Sequence, residues 1–224
     1  MSNSYIPLRL SATLALLLAS LSIQASLGWG QNSAPTPPGQ VDVQRSRSFV
    51  RVEATGLGHE HGVVGKLLSG TIHLGAAQRA GELVFDTKSF LCDTLESRKY
   101  VSLAGDIDDS TQKKTTANML GADVLNVAHF PKATYAIRSA LATPKQNPSD
   151  PQWYQLDGDF TLHGVTRPLK INVLAEPGPG VVRLRGQFKI SQTQFGITPY
   201  SKLFGSVGVA DELTIWGDVW IGAE

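Results

Sequence analysis

The stretch "GDFTLHGVTRPLKINV", residues 158–173, holds two short alternating segments on either side of a corner. Apolar and polar residues alternate before His163 and again after Pro168, which is the period of half-buried β-strands. Gly164 offers a permissive φ and Pro168 fixes the start of the second segment, so His163 is predicted to lie in a turn rather than to do chemistry. The apolar residues of the two segments are Phe160, Leu162, Leu169, Ile171 and Val173.

The same alternation recurs along the chain and predicts about eight strands. The segments are 50–54, 70–74, 81–86, 133–139, 153–162, 169–175, 181–190 and 213–221. Residues 143–152, with three prolines, interrupt two of them and are predicted to form a loop. Helical signal is confined to residues 110–121, where Asp109 or Ser110 would cap the helix and Gly121 would end it. Strands with one apolar face either pack as two sheets or close into a barrel, and the alternation does not decide between these.

The composition argues against a nucleic-acid partner. Of the 224 residues, 42% are hydrophobic and 17% are charged, with 20 Lys and Arg against 19 Asp and Glu. No global field of either sign would attract a polyanion or an anionic membrane surface.

The N-terminus has the pattern of a secretory signal peptide. Arg9 precedes a mostly apolar run, residues 10–21, and small residues follow at Ala25 and Gly28. We expect a signal peptide over residues 1–25, a Pro-rich tether over 26–40 and one folded domain over 41–224. This predicts a periplasmic or secreted protein whose mature chain has no transmembrane segment, with an uncleaved anchor as the alternative.

A few residues could carry chemistry. His59 and His61 are two apart and, in extended backbone, would point the same way and could share a metal ion. Two ligands make an incomplete site, and the glycines around them suit a tight turn or a closely packed strand, so the metal prediction is weak. His73, His129 and His163 are expected to be solvated or to bond backbone groups, and the single cysteine, Cys92, is expected to be inert.

Carboxylates at Asp106, Asp108 and Asp109 resemble the start of a calcium loop. The turn glycine and the closing glutamate of such a loop are missing, with Ala117 in the closing position. Helix capping is the better interpretation of these residues.

Several motifs together carry a family resemblance. They are "GELVFDTKSF" (81–90), "NMLG" (118–121), "FPKATY" (130–135), "FTLHGVTRP" (160–168), "FGITP" (195–199) and "VADELTIWGDVWI" (209–221). In this order they resemble the YceI-like family of exported bacterial lipocalin-like proteins, from about Val41 to Ile221. The resemblance implies a mainly β fold: an eight-stranded antiparallel lipocalin-like β-barrel with one short helix and a long hydrophobic interior.

The resemblance also implies a bound isoprenoid or fatty lipid. The apolar stripes then become the predicted pocket walls: Phe85, Tyr135, Ile137, Tyr154, Leu156, Phe160, Leu184, Phe188, Ile190, Phe195, Leu213 and Ile215. Two departures from the family pattern, "SQTQFGI" (191–197) and "ESRKYVSLAGD" (96–106), mean that the head-group contacts of relatives do not transfer. A polyisoprenoid, an isoprenoid quinone and a fatty amide all remain open as ligands.

Three functions follow as hypotheses. The first is an exported, non-enzymatic binding protein that encloses a long apolar ligand. The second is a metal-dependent enzyme or redox accessory protein that uses His59 and His61, and the third is an envelope structural or interaction protein with a solid core. Trp216 and Trp220 make the last strand apolar on both faces, which predicts a homodimer that covers the outer face.

Overall fold

The computed structural model describes Met1, residues 36–202, Phe204 and residues 206–223. The expected signal peptide and most of the expected tether lie outside the described residues. The strands are β1 (Arg47–Gly56), β2 (His61–Ile72), β3 (Gly81–Cys92), β4 (Lys132–Ala142), β5 (Gln152–Leu162), β6 (Val165–Gly178), β7 (Val181–Ser191), β8 (Ser201–Lys202) and β9 (Val207–Gly222). The helices are α1 (Leu95–Tyr100) and α2 (Asp109–Leu120), and a short 3-10 turn spans Gln192–Phe195.

Eight long strands close into an antiparallel barrel. Neighbouring strands pair in chain order from β1 to β7, β7 pairs with β9, and β9 pairs with β1 to close the sheet. The two-residue β8 adds only a short pairing to β9. The predicted fold class, an eight-stranded antiparallel barrel, is confirmed, and closure removes the exposed sheet edges that an open sheet would have.

The quoted stretch 158–173 forms the β5–β6 hairpin. Leu162 pairs with Val165, so the loop holds only His163 and Gly164, whose φ values are 51° and 75°. Two consecutive positive φ values are what a tight two-residue hairpin needs. The prediction that His163 occupies the corner is confirmed.

Local structure differs from the expectation in two places. Helix α2 begins one residue earlier than predicted, because the Asp108 side chain, rather than Asp109 or Ser110, accepts from the backbone N–H groups of Ser110 and Thr111. Helix α1 was not predicted at all. It begins after Thr94, whose hydroxyl accepts from the N–H of Ser97, and it carries only six residues, too few for a recognisable apolar period.

The segment before β1 packs on one end of the barrel, which we call the closed end. Residues 38–41 make bridges to β2 and β9, and Val41 is buried in the core. Part of the expected tether, residues 36–40, is therefore in contact with the barrel. Among the described residues, neither helix has the length and apolar character needed to cross a bilayer.

Candidate functional site

The barrel interior is hollow at the end opposite to the closed end, which we call the mouth end. A cavity of about 380 Å³ lies there between the last residues of β3, β5 and β7 and the first part of β9. This volume falls within the range of ~300–1,000 Å³ that is usual for small-molecule sites. Since protein interiors are normally close-packed, a void of this size in an apolar interior calls for a functional explanation.

The inner faces of the strands show where packing stops. Towards the closed end, Ile137 and Ala140 are almost completely buried. Towards the mouth end, Phe188 and Ile215 also lie on the core side of their strands but are only partly buried, because they face the cavity. Alternation in sequence places all of them on one face, but only the tertiary structure shows which of them meet a neighbour.

A second, smaller cavity of about 50 Å³ lies deeper in the barrel. It is lined by apolar side chains of β2–β7 and β9, including Ile72, Leu83 and Val219. Tyr135 forms part of its wall, and the hydroxyl of this side chain donates to the carbonyl oxygens of Leu156 (3.0 Å) and Leu169 (3.1 Å). That hydroxyl proton is therefore already used, and burial raises the pKa of Tyr135 well above its ordinary value.

The predicted wall residues fall into three groups. The larger cavity is lined by Phe85, Phe160, Phe188, Ile190, Leu213 and Ile215, and the smaller one by Phe85, Tyr135, Leu156, Phe160, Leu184 and Phe188. The remaining three, Ile137, Tyr154 and Phe195, pack in or against the main hydrophobic cluster. That these twelve residues contact a ligand stays a prediction.

Helix α2 forms part of the cavity wall at the mouth end. It buries none of its residues and contributes Lys114, Asn118 and Met119 to the cavity lining. Its anchors to the barrel are few: Thr116 Oγ1 accepts from the N–H of Cys92 at 3.0 Å, and Met119 Sδ lies 3.4 Å from Cys92 Sγ. The part of the wall that Lys114 and Asn118 form is therefore polar, and the part that Met119 forms is apolar.

A buried ionic cluster stands beside the cavity. The Asp93 carboxylate is 1% exposed; it lies 2.7 Å from His61 Nδ1 and accepts from Arg98 Nη1 and from the N–H of Gly62, both at 3.0 Å. Burial alone would raise the pKa of Asp93, but the hydrogen bonds from His61, Gly62 and Arg98 outweigh it and hold the pKa below 3.8. Asp93 is thus a buried carboxylate with three partners.

The cluster fixes the orientation of His61. Because Nδ1 is engaged by Asp93, Nε2 is the ring nitrogen that can meet a ligand in the cavity, which His61 lines. Arg98 is itself held by the carbonyl oxygens of Gly105 and Ala104. A positioned imidazole beside an apolar cavity is suited to hold one polar group.

Local backbone conformation makes this cluster possible. Asp93 has a φ of 54°, which turns the chain sharply from β3 into α1. Gly62 lies so close to α1 that a Cβ there would sit 3.1 Å from the backbone N of Arg98. The glycine therefore serves close packing, as one interpretation of the glycines around His59 and His61 predicted.

The structure gives the weak metal prediction no further ligands. His59 is exposed at the cavity edge, and His61 is already paired with Asp93. Within the described part of the chain, no group of three or more His, Cys, Asp or Glu side chains is arranged to hold a metal ion.

Cys92 is buried at the cavity wall. Burial, with a contribution from the charge of Asp93, raises the pKa of the Cys92 thiol to about 12. A thiol with such a pKa carries almost no thiolate at neutral pH, which agrees with the prediction that it is unreactive.

His163 differs from the expectation in one respect. Its ring packs on Phe130 with 4.4 Å between ring centroids, and Nε2 is buried without a hydrogen-bond partner among the described residues. The prediction of a solvated or backbone-bonded ring is therefore wrong for this atom, because Phe130 covers it. His129 Nδ1 instead lies 3.0 Å from a side chain, Asn126 Oδ1.

The outer face of β9 is partly covered within the chain. Trp216 packs beside a cluster of Phe49, Val64 and Val101, which includes residues of α1 and the segment after it. Trp220 lies under the guanidinium of Arg45, 3.5 Å from the ring centroid. The apolar face from which we predicted a homodimer thus already has intramolecular neighbours.

Sequence analysis missed Asp93 and Arg98. Asp93 follows an ordinary strand and carries no motif, and Arg98 lies in the unpredicted helix α1. The available signal was "TLESRK", residues 94–99, in which a threonine N-cap precedes an acidic first turn and a basic last turn. Recognising that helix would have placed Arg98 on it, but not against Asp93.

Comparisons with known proteins agree with the barrel fold. The family model described as a YceI-like domain matches residues 40–219. No curated protein matches the chain. Among solved structures, a polyisoprenoid binding domain from Saccharophagus degradans aligns with a TM-score of 0.56 and 11% identity over 83% of this chain and 98% of its own. BcnA from Burkholderia cenocepacia aligns with a TM-score of 0.51 and 15% identity, over 80% and 98% respectively. At such identities the two structures support the fold alone.

Proposed function

Because the chain belongs to the YceI-like domain family, we propose that it is an exported binding protein that encloses a long apolar ligand in its barrel. The candidate ligands are a polyisoprenoid, an isoprenoid quinone and a fatty amide. The observation that carries the proposal is the cavity of about 380 Å³, whose inward-facing apolar side chains are left partly unburied.

The hydrophobic effect supplies the affinity. Each Å² of apolar ligand surface removed from water contributes ~25 cal/mol, before the ordering of ligand and side chains is subtracted. Phe188, Leu213 and Ile215 gain packing partners at the same time, which an empty cavity denies them. Filling the cavity therefore stabilises both the ligand and the folded protein.

The polar end of the ligand belongs at the mouth end. His61 Nε2 offers one hydrogen-bonding atom of fixed orientation, and Lys114 and Asn118 of α2 lie along the same wall. A hydroxyl, a quinone carbonyl and an amide can each bond such groups. The deep end of the barrel is apolar, so it favours the tail.

Binding suits this site better than catalysis. Apart from Ser48, the polar residues that line the cavity lie at the mouth end, and the neighbouring thiol, that of Cys92, is kept neutral by burial. A metal-dependent activity at His59 and His61 would need further ligands, and a solid structural barrel does not account for the cavity. The Saccharophagus degradans neighbour is a polyisoprenoid binding domain, which agrees with lipid binding as the leading hypothesis.

The export proposal comes from the N-terminal pattern, and it places the protein in the periplasm or outside the cell. Fractionation of the native host and N-terminal sequencing of the mature chain test it, and an intact N-terminus in the cytoplasmic fraction would contradict it. The homodimer stays a prediction, although Trp216 and Trp220 already have intramolecular neighbours.

The binding proposal is tested by organic extraction of the purified protein, mass spectrometry of the extract, and titration with farnesol and a short ubiquinone. We expect a stoichiometric lipid or saturable uptake. Leu213→Trp, which fills the cavity, should abolish uptake. The matched variant Leu141→Trp, on a leucine that is 46% exposed outside the cavity, should leave uptake unchanged. If no lipid copurifies with the protein and no added lipid binds, the proposal is wrong.

A further inference from the structure

The two cavities of the barrel lie end to end and share part of their lining. Phe85, Phe160, Phe188 and Gly217 border both the mouth cavity of about 380 Å³ and the deep cavity of about 50 Å³. These four residues therefore mark the place where one apolar channel narrows into two compartments. We call them the constriction.

Three aromatic rings supply the bulk of the constriction. Phe160 is 7% exposed and meets Phe188 edge to face, with 6.2 Å between the ring centroids. Phe195, which is 2% exposed, also packs edge to face on Phe160, with 5.6 Å between the ring centroids, and so supports the Phe160 ring. Phe85 and Phe188 are only partly buried and have space beside them. Phe160 is thus the fixed ring, and its partners are the ones with room to move.

A row of small residues faces these rings. Gly217 pairs with Ser48 on one side and with Gly186 on the other. A Cβ built on Gly217 would have a single neighbour within 4 Å, the Cγ2 of Val219 at 3.9 Å. Gly217 therefore leaves space between the two cavities that a side chain could fill.

We propose that the constriction sets the length of the apolar chain that the barrel accepts, an inference that rests on the proposed lipid-binding function. A chain that enters from the mouth end gains contacts with each added unit until it reaches Phe160 and Phe188. A longer chain must either displace a partly buried ring or leave its excess in water. Affinity rises with length up to the constriction and then stops rising.

The deep cavity explains why the constriction matters. It is apolar and too small to hold more than the tip of a chain, and a dry apolar void forfeits packing contacts. Tyr135, which forms part of its wall, donates to two carbonyl groups, so the wall there is firm. Opening the passage would add this compartment to the binding site without opening the barrel at the closed end.

The test uses a homologous series of isoprenoid alcohols: geraniol, farnesol, geranylgeraniol and longer polyprenols. Each is titrated against the full protein by displacement of a fluorescent apolar probe. In the native protein we expect affinity to increase about tenfold for each isoprene unit and then to level off at one chain length.

The levelling point is the chain length at which affinity stops increasing. Two substitutions should move the levelling point in opposite directions. Phe188→Ala widens the passage and should shift the levelling point to a longer alcohol, with about tenfold tighter binding of the next member of the series. Gly217→Val narrows the passage and should shift it to a shorter alcohol. Phe188→Leu, which removes less packing, gives a second opening variant if Phe188→Ala does not fold.

Phe49→Leu is the matched control. Phe49 is as buried as the core phenylalanines, but it stacks on Tyr100 outside the barrel interior, so its loss should leave the levelling point unchanged. An affinity that keeps rising through the longest polyprenol, or a levelling point that neither Phe188→Ala nor Gly217→Val moves, would overturn the inference while lipid binding stands. A protein that takes up no isoprenoid or other lipid overturns the proposed function and this inference with it.

Discussion

The two ends of the barrel are made of the same strands but use them differently. At the closed end, Ala80, Ile137 and Ala140 are at most 2% exposed, and the segment around Val41 packs on the same end. At the mouth end, equivalent inward positions such as Ile215 face a cavity, and the weakly anchored helix α2 forms part of the wall. The closed end supplies stability, and the mouth end gives up packing for a binding site. Stability and binding are thus separated along one barrel axis.

The largest expected effect comes from removing equal volumes at the two ends. Ile137→Ala should lower the free energy of unfolding by about 3 kcal/mol, because it opens a void in a fully packed region. Ile215→Ala removes atoms that already border a void and should lower it by about 1 kcal/mol. Urea denaturation of both variants measures the difference, and equal losses would break the comparison between the two ends.

The ionic cluster is the mouth end's own source of stability. Asp93→Asn leaves Arg98 buried without its counter-ion and should lower the free energy of unfolding by about 3 kcal/mol. The control is Asp157→Asn, which breaks the exposed pairs with Arg138 and Lys170 and should change stability little. If Asp93→Asn is as mild as its control, the cluster only orients His61.

The same carboxylate gives a pH signature. The folded-state pKa of Asp93 lies below its ordinary value of 3.8, so its contribution is fully present above that pH and is lost as pH falls through the folded-state pKa. Native protein should therefore lose stability below about pH 4 more steeply than Asp93→Asn. Denaturation curves recorded across that range compare the two, and parallel losses would contradict the assignment to Asp93.

The smallest effect concerns access to the mouth cavity. Burial raises the pKa of Cys92 to about 12, so alkylation by iodoacetamide near neutral pH should be far slower than in the unfolded protein. Because Cys92 lines the cavity and touches Met119 of α2, bound farnesol should slow alkylation further, by a few-fold. Mass spectrometry follows the modification, and a rate that is indifferent to farnesol would place the ligand elsewhere.

Much of the fold could be read from local patterns. The alternation in 158–173 and in "VVRLRGQFKI" (181–190) located strands that the structure confirms, since a period of two follows from backbone geometry. The start of β2 at His61 was missed, because glycines at 62, 65 and 70 interrupt its apolar face. Glycine is required at such positions by residues that are distant in the sequence. A Cβ on Gly65, for example, would clash with the ring of Phe90.

The candidate site was predictable only in outline. Alternation could assign Phe188 and Ile190 to the barrel interior, but whether an inward side chain meets a neighbour or a cavity depends on strands that the local sequence does not specify. The pairing of His61 with Asp93 joins residues 32 positions apart, and neither carries a motif.

By itself, the sequence determined most of the strands, the β5–β6 corner at His163 and Gly164, the second helix and, through its motifs, the family, because each depends on the order of neighbouring residues. Only the tertiary structure decided that the barrel is packed at one end and hollow at the other. It alone brought Asp93 to His61 and set the three phenylalanines opposite Gly217. Packing and burial depend on which residues meet in space. Such residues are often far apart in the sequence, so local sequence patterns do not reveal their contacts.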